Sequence, residues 1–461
     1  MKRRTIITLT ATAIIGVAGA GLYYAGELLS IGVAYKAKVL CSGVFVSKRS
    51  PESVLNSDLA GGDLAILRFI DAKVDRNTQT VSSYFMNIIK HTAAYRPGLG
   101  CTLVFADQKN ALPRLHIAVF EQGHSQWPEE RTDTDVSEHV DLDQLNVTLD
   151  WAFSEPDPEH LRRTRAVIIV HKGRIIGERY APGFDKDTPL MGWSMTKSVM
   201  NALAGILVGE GKLSLTDQVS APEWQEPNNG RHNITLDHLL HMNSGLDFDE
   251  NYTNPLADVT YMLLRVPDTA AYAASKQLVA NPGTRWRYSS GTTNILSRFV
   301  RLTVGESNYL SFPHRALFKP LGMHSAVMEP DASGTFVGSS FMYATARDWA
   351  KFGQLYLQDG LWQGKRILPE GWIDYTTTPA PQAPHQQYGA HFWLKIPMEF
   401  TSGVYSDRLP DDAFHAVGHE GQFVTVVPSR DLVIVRLGLS RFASAWQHDQ
   451  FVWKVLEAIA A

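Results

Sequence analysis

Cysteine is scarce in this sequence: two residues in 461, Cys41 and Cys101, with no Cys-x-x-Cys pair to suggest a zinc knuckle. An excess of one charge is missing too. The formal net charge is -4 and no run of Lys and Arg is longer than Lys2-Arg3-Arg4. This argues against a nucleic-acid partner and makes a small molecule the expected one. No internal repeat or low-complexity tract stands out. Neither Gly-x-Ser-x-Gly nor His-Glu-x-x-His occurs, which argues against an α/β-hydrolase elbow or a zincin site. His238 and His241 have helical spacing, but no third ligand is evident, so no metal or other cofactor is expected.

One long apolar run is present. Lys2-Arg3-Arg4 precedes an uncharged, mostly apolar stretch from Thr5 to Gly26, the pattern of a chain addressed to a membrane. Its length favours an uncleaved anchor, while Ala18-Gly19-Ala20 offers a small-residue cleavage pattern; both place the rest of the chain in a periplasmic or other extracytoplasmic space. There the two cysteines are expected to be bonded. Leu40 argues against a lipid on Cys41, because a small residue is expected before a lipidated cysteine. The expected divisions are residues 1–26 as signal or anchor, 27–150 as an N-terminal extension without recognisable chemistry, and 151–461 as the main domain. Pro-containing charged segments at 127–131 and 154–158 read as connecting loops.

Ala166–Val170, a turn at Lys172-Gly173 and Ile175–Tyr180 read as a β-hairpin, and Phe423–Val427 with Leu432–Arg436 as a second. Phe451, Val452, Val455, Leu456 and Ile459 recur at helical spacing, and the segments between the hairpins, such as Thr345–Leu357, read mostly helical. The pattern predicts an α+β fold: an antiparallel sheet built from both chain ends, with helices and an inserted helical region.

Three short elements could carry chemistry. Ser194 and Lys197, in Trp193-Ser194-Met195-Thr196-Lys197-Ser198, share one face at the start of an amphipathic helix. A serine hydroxyl needs a base, and a desolvated lysine can serve as one. Helix-start N–H groups would face charge developing on a substrate oxygen. Tyr288, in Tyr288-Ser289-Ser290, precedes a second apolar helix and could relay protons. His419-Glu420-Gly421-Gln422 precedes the last hairpin; Gly421 would let substrate approach the backbone, and the Gln422 N–H could be an oxyanion donor.

In this order, Ser-x-x-Lys, Tyr-x-Ser and His-x-Gly resemble the penicillin-recognising, β-lactamase-related serine hydrolases. The resemblance extends from about Arg165 to Leu437. It includes Ile234–Leu246, Ala344–Ala350 and Gly360-Leu361-Trp362-Gln363-Gly364. It implies an antiparallel sheet flanked by helices, a helical subdomain and a site between them. Two departures narrow the substrate: Ser290 replaces the usual asparagine, and His419 stands where a lysine would serve the carboxylate of penicillins or peptides. Both point toward members that resemble esterases, D-amino-acid amidases and, most closely, 6-aminohexanoate-dimer hydrolases. The last group implies a mobile-loop tyrosine, for which Tyr252 is the candidate.

The expected reaction is acyl transfer from a small amide or ester. Ser194 attacks, Lys197 and Tyr288 handle its proton, and the Ser194 and Gln422 N–H groups hold the oxyanion. His419, Ser290, Gly421 and Tyr252 are grouped on the substrate side, with His419 tuning Tyr288. Which of Lys197 and Tyr288 is the base stays open. The alternatives are a D-amino-acid peptidase of the penicillin-binding type and a membrane-held, non-catalytic sensor with the same fold.

Overall fold

No proline occurs before Pro51, and the N-terminal run continues unbroken into a helix, α1 (Lys2–Phe45), of 44 residues. The computed structural model describes residues 2–105, 127, 140–225, 230–403 and 408–459, and the side chains of α1 from Gly21 onward. Of the connecting loop at 127–131 only Trp127 is among them. The expected division at residue 26 falls inside α1. Leu22, Tyr23 and Tyr24 are exposed, whereas from Ser30 onward Val33, Ala34, Ala37, Leu40 and Cys41 are buried.

The extension wraps the inner half of α1. A short helix, α2 (Pro51–Ser57), is capped by Ser50 and has Pro51 in its first turn, where a missing N–H costs nothing. Four strands follow, β1 (Asp71–Asp75), β2 (Thr80–Phe85), β3 (Ile89–Arg96) and β4 (Gly100–Val104), in an antiparallel meander. Cys41 of α1 and Cys101 of β4 are joined in a disulfide, their Cα atoms 6.0 Å apart.

A buried carboxylate is one of the fastenings between this module and the rest of the chain, beside the Arg165–Asp58 and Arg265–Glu27 ion pairs. Glu329 accepts from Lys38, from the Ser42 hydroxyl at 2.8 Å and from the Cys101 N–H at 2.6 Å. Gly100, at φ +63°, is required here, because a Cβ would stand 2.4 Å from the Glu329 carboxylate.

The main sheet forms from both chain ends, as the two hairpins predict. β5 (Thr164–His171) and β6 (Arg174–Tyr180) pair with β10 (Phe414–Gly418), β11 (Gln422–Val427) and β12 (Leu432–Gly438) in the antiparallel order β10-β11-β12-β5-β6. β12 meets β5 with Ile434 opposite Ile169. One face packs Val167, Phe423 and Ile434 against α3 (Leu142–Phe153) and the C-terminal helix α10 (His448–Ala458). α3 runs through residue 150, so the boundary expected there lies inside a helix that packs on this sheet.

The other face packs on α4 (Met195–Gly209) and α9 (Ala346–Leu357). Gly353 lets α9 come close, since a Cβ would lie 2.6 Å from Val433. The inserted region holds α5 (Leu236–Leu240), α6 (Asp258–Arg265), α7 (Thr269–Ala274) and α8 (Ser290–Val304). A small sheet of β7 (Leu190–Met191), β8 (Val327–Met328) and β9 (Met342–Ala344), in the order β7-β9-β8, leads directly into the segment before Ser194.

Candidate active site

Ser194 stands between β7 and α4. The Gly192 N–H donates to the Met342 carbonyl at 2.8 Å, and the turn forces Trp193 into the left-handed region at φ +48°, which costs a β-carbon residue about 1–2 kcal/mol. The Thr196 hydroxyl donates back to the Trp193 carbonyl at 2.7 Å and holds the turn. Ser194 is the N-cap residue of α4, but its side chain makes no capping bond, so its hydroxyl faces Lys197.

Lys197, one helical turn on, is 1% exposed. Its Nζ donates to Ser194 Oγ at 2.9 Å, to Ser290 Oγ at 3.0 Å and to the Ser339 carbonyl at 3.0 Å, and it lies 4.8 Å from the Tyr288 ring centre. Burial lowers its pKa to about 8, against a smaller upward pull from Glu250. A buried ammonium is poorly solvated, so the neutral amine is favoured. Tyr288 shifts the other way: burial first and the Glu250 charge second hold its hydroxyl well above the usual tyrosine range, while a hydrogen bond with Ser194 pulls it down slightly. Tyr388 and Trp393 pack on its ring at 5.7 and 5.4 Å.

Ser290 has been grouped above with the substrate-lining residues, and its placement corrects that grouping. It is fully buried, and besides accepting from Lys197 its hydroxyl donates to Glu250 Oε1 at 2.5 Å. Glu250 was not singled out in the sequence. It accepts the Ser290 N–H at 2.7 Å, at the start of α8, and the Tyr252 hydroxyl at 3.2 Å. Burial raises its pKa, opposed chiefly by Lys197. Its one sequence signal was position, two residues before Tyr252 in a polar loop.

His391 also escaped notice. It is buried, its Nδ1 lies 3.0 Å from the Lys197 carbonyl, and its main-chain carbonyl accepts the Ser198 hydroxyl at 2.7 Å. Burial, reinforced by Lys197, lowers its pKa to about 3, so it is neutral.

His419 is brought alongside by the end of β10. Gly418 packs directly on the turn before Ser194: a Cβ there would stand 2.1 Å from the Gly192 carbonyl oxygen. The His419 ring stacks on Tyr252 at 4.9 Å and meets Trp193 edge-on at 5.5 Å. Tyr252 keeps 38% of its surface exposed while its hydroxyl points inward to Glu250.

Gly421, at φ +81°, does not open the backbone to a ligand. The space of its absent Cβ is taken by the guanidinium of buried Arg436, 2.5 Å away, which also donates to the Gly421 carbonyl at 2.6 Å. The Gln422 side chain braces the same turn, donating to the carbonyls of His419 at 3.0 Å and Gly438 at 2.8 Å. His238 and His241 are engaged locally. His238 Nδ1 accepts the Thr235 N–H at 3.1 Å, and His241 Nδ1 pairs with Asp237 at 2.9 Å.

A 6-aminohexanoate-dimer hydrolase of Paenarthrobacter ureafaciens is 23% identical over 285 residues, 59% of this chain and 72% of that protein. A solved structure of a putative 6-aminohexanoate-dimer hydrolase from Bacillus anthracis superposes with a TM-score of 0.52 at 21% identity, covering 71% of this chain and 85% of the other. A family VIII carboxylesterase superposes with a TM-score of 0.52 at 17% identity, covering 69% and 96%. At these identities the superpositions establish the fold alone. The Beta-lactamase family model matches residues 149–441, from α3 to the segment after β12. This chain belongs to the Beta-lactamase family, whose members are hydrolases of the serine β-lactamase fold.

Proposed function

We propose that the chain is a serine hydrolase that cleaves a small amide or ester through an acyl-enzyme on Ser194. The observation that carries this reading is the divergence of the two proton-handling groups on one serine. Lys197 is brought down to about 8 while Tyr288 is pushed up. Groups driven apart in this way take different roles, the lowered amine as base and the raised phenol as acid.

In the proposed reaction Ser194 Oγ attacks the carbonyl carbon and its proton passes to neutral Lys197. The Ser194 and Gln422 N–H groups hold the oxyanion. As the carbon–leaving-group bond breaks, the Tyr288 hydroxyl donates its proton to the departing amine or alkoxide and recovers one from Lys197. Water, deprotonated by the same pair, then releases the acid and restores Ser194. Glu250 holds Ser290 and, through it, Lys197; Tyr252 and His419 form a wall on the substrate side. The likeness to a 6-aminohexanoate-dimer hydrolase and an esterase favours small linear amides or esters. We place the enzyme on the outer face of a membrane, held by the first half of α1.

The test is intact-mass analysis with p-nitrophenyl esters, a 6-aminohexanoate dimer and a β-lactam, alongside Ser194→Ala. The reading requires a transient adduct on Ser194 with product release, and a loss in Ser194→Ala of at least about 10⁴-fold. A permanent adduct with the β-lactam alone, or no adduct, would refute it in favour of a sensor. Turnover of D-amino-acid peptides with β-lactam competition would point to a peptidase instead.

A further inference from the structure

The N-terminal module gathers exposed apolar side chains at the end where α1 leaves the protein. Two cross-links fix how β3 lies on α1. Near one end the Ser30 hydroxyl and His91 Nε2 are 2.7 Å apart. Near the other, Cys41 is bonded to Cys101, which sits opposite Tyr95 in the sheet. The chain direction of β3 therefore matches that of α1, and the turn before β3 projects past Ser30 toward the helix N-terminus. Ile88 precedes His91 by about 10 Å at the rise of a strand. Leu22 precedes Ser30 by about 12 Å at the rise of a helix. The hairpin tip and the Leu22-Tyr23-Tyr24 segment are thus level with one another.

Both are bare. Leu22 is 76% exposed, Met86 73% and Ile88 81%. Ile66 and Phe69, also exposed, lie beside α1 well away from this level, where Lys36 donates to the Leu67 and Ile70 carbonyls, about 20 Å along the helix from Leu22. Exposed Lys90 borders the hairpin tip. A soluble surface rarely carries so many large apolar groups together.

We propose that this end of the module is a second membrane contact: the 85–89 hairpin tip dips into the lipid interface beside α1. The occupant is a bilayer because the patch is continuous with the apolar run Thr5–Gly26. Tyr23 and Tyr24 sit where interfacial aromatics belong, and Lys90, two residues after Ile88, is placed to meet lipid phosphates. A single helix leaves a domain free to swivel. A helix plus a hairpin fixes its tilt, and with it the direction in which the Ser194 site faces. The inference rests on the membrane reading of α1.

The experiment places a nitrobenzoxadiazole label on Ile88→Cys in the full chain, reconstituted in phosphatidylcholine–phosphatidylglycerol vesicles. Leu361→Cys, beyond the C-terminal end of α9, is the control. The expected result is a blue-shifted emission at 88, loss of intensity with nitroxide lipids and protection from aqueous iodide, with none of these at 361. Flotation of the unlabelled chain after a carbonate wash separates the two readings. A chain that floats while label 88 is as open to iodide as label 361 keeps the anchor and overturns the docking. Protection from iodide without lipid quenching marks contact between protein copies, and also overturns it. A chain that fails to float removes both.

Discussion

Replacing Glu250 by Gln tests the assignment of Lys197 as base. Its carboxylate reaches Lys197 across the Ser290 hydroxyl, through contacts of 3.0 and 2.5 Å. The charges are therefore about 5.5 Å apart at most, and at an effective dielectric constant of about 20 that separation gives an attraction of about 3 kcal/mol, equivalent to on the order of two pH units. Glutamine keeps an acceptor for Ser290 and removes the charge. The sign follows from the chemistry: a base must be neutral, so kcat/KM rises as pH passes the Lys197 pKa, which burial has brought to about 8. The Glu250 charge favours the ammonium, so removing it eases deprotonation. The ascending limb of the pH profile should shift to lower pH by roughly one to two units. The assay is kcat/KM for a p-nitrophenyl ester between pH 5 and 10 in both proteins. An unmoved limb, or one displaced upward, would refute the reasoning and transfer the base role away from Lys197.

Other consequences can be measured directly. Gly418→Ala places a Cβ 2.1 Å from the Gly192 carbonyl oxygen; the strand must retreat from the turn before Ser194, so kcat should fall well before the thermal midpoint does. Replacing Cys41 and Cys101 together by serine opens a cross-link between residues 60 apart and should cost about 4 kcal/mol by loop entropy, read as a lower unfolding temperature. Lys38→Met leaves Glu329 buried without its cation, a loss of about 3–5 kcal/mol. Adding Glu329→Gln should return much of it, as thermal unfolding of the single and double variants will show.

The sequence by itself determined a good deal. Periodicity located both hairpins and the terminal helix, because a strand buried between helix layers, such as Val167–Val170, must be apolar throughout. Ser194 and Lys197 were legible because a helix fixes which residues share a face, whatever surrounds it. The strands of the extension were not legible: their residues are mostly half-exposed, and their apolar partner is α1, far away in the chain.

The tertiary structure alone decided the rest, since contacts between distant segments leave no local pattern. Glu250 became part of the site only when its loop folded over the start of α8. His391 did so by reaching the Lys197 carbonyl from 194 residues away. Ser290 and Gly421 moved from the substrate side to the supporting structure because a buried amine claimed one and a buried guanidinium filled the space beside the other. The proposed division between base and acid rests most on the fold, because desolvation, which no residue carries in its own sequence, lowers an amine and raises a phenol within the same pocket.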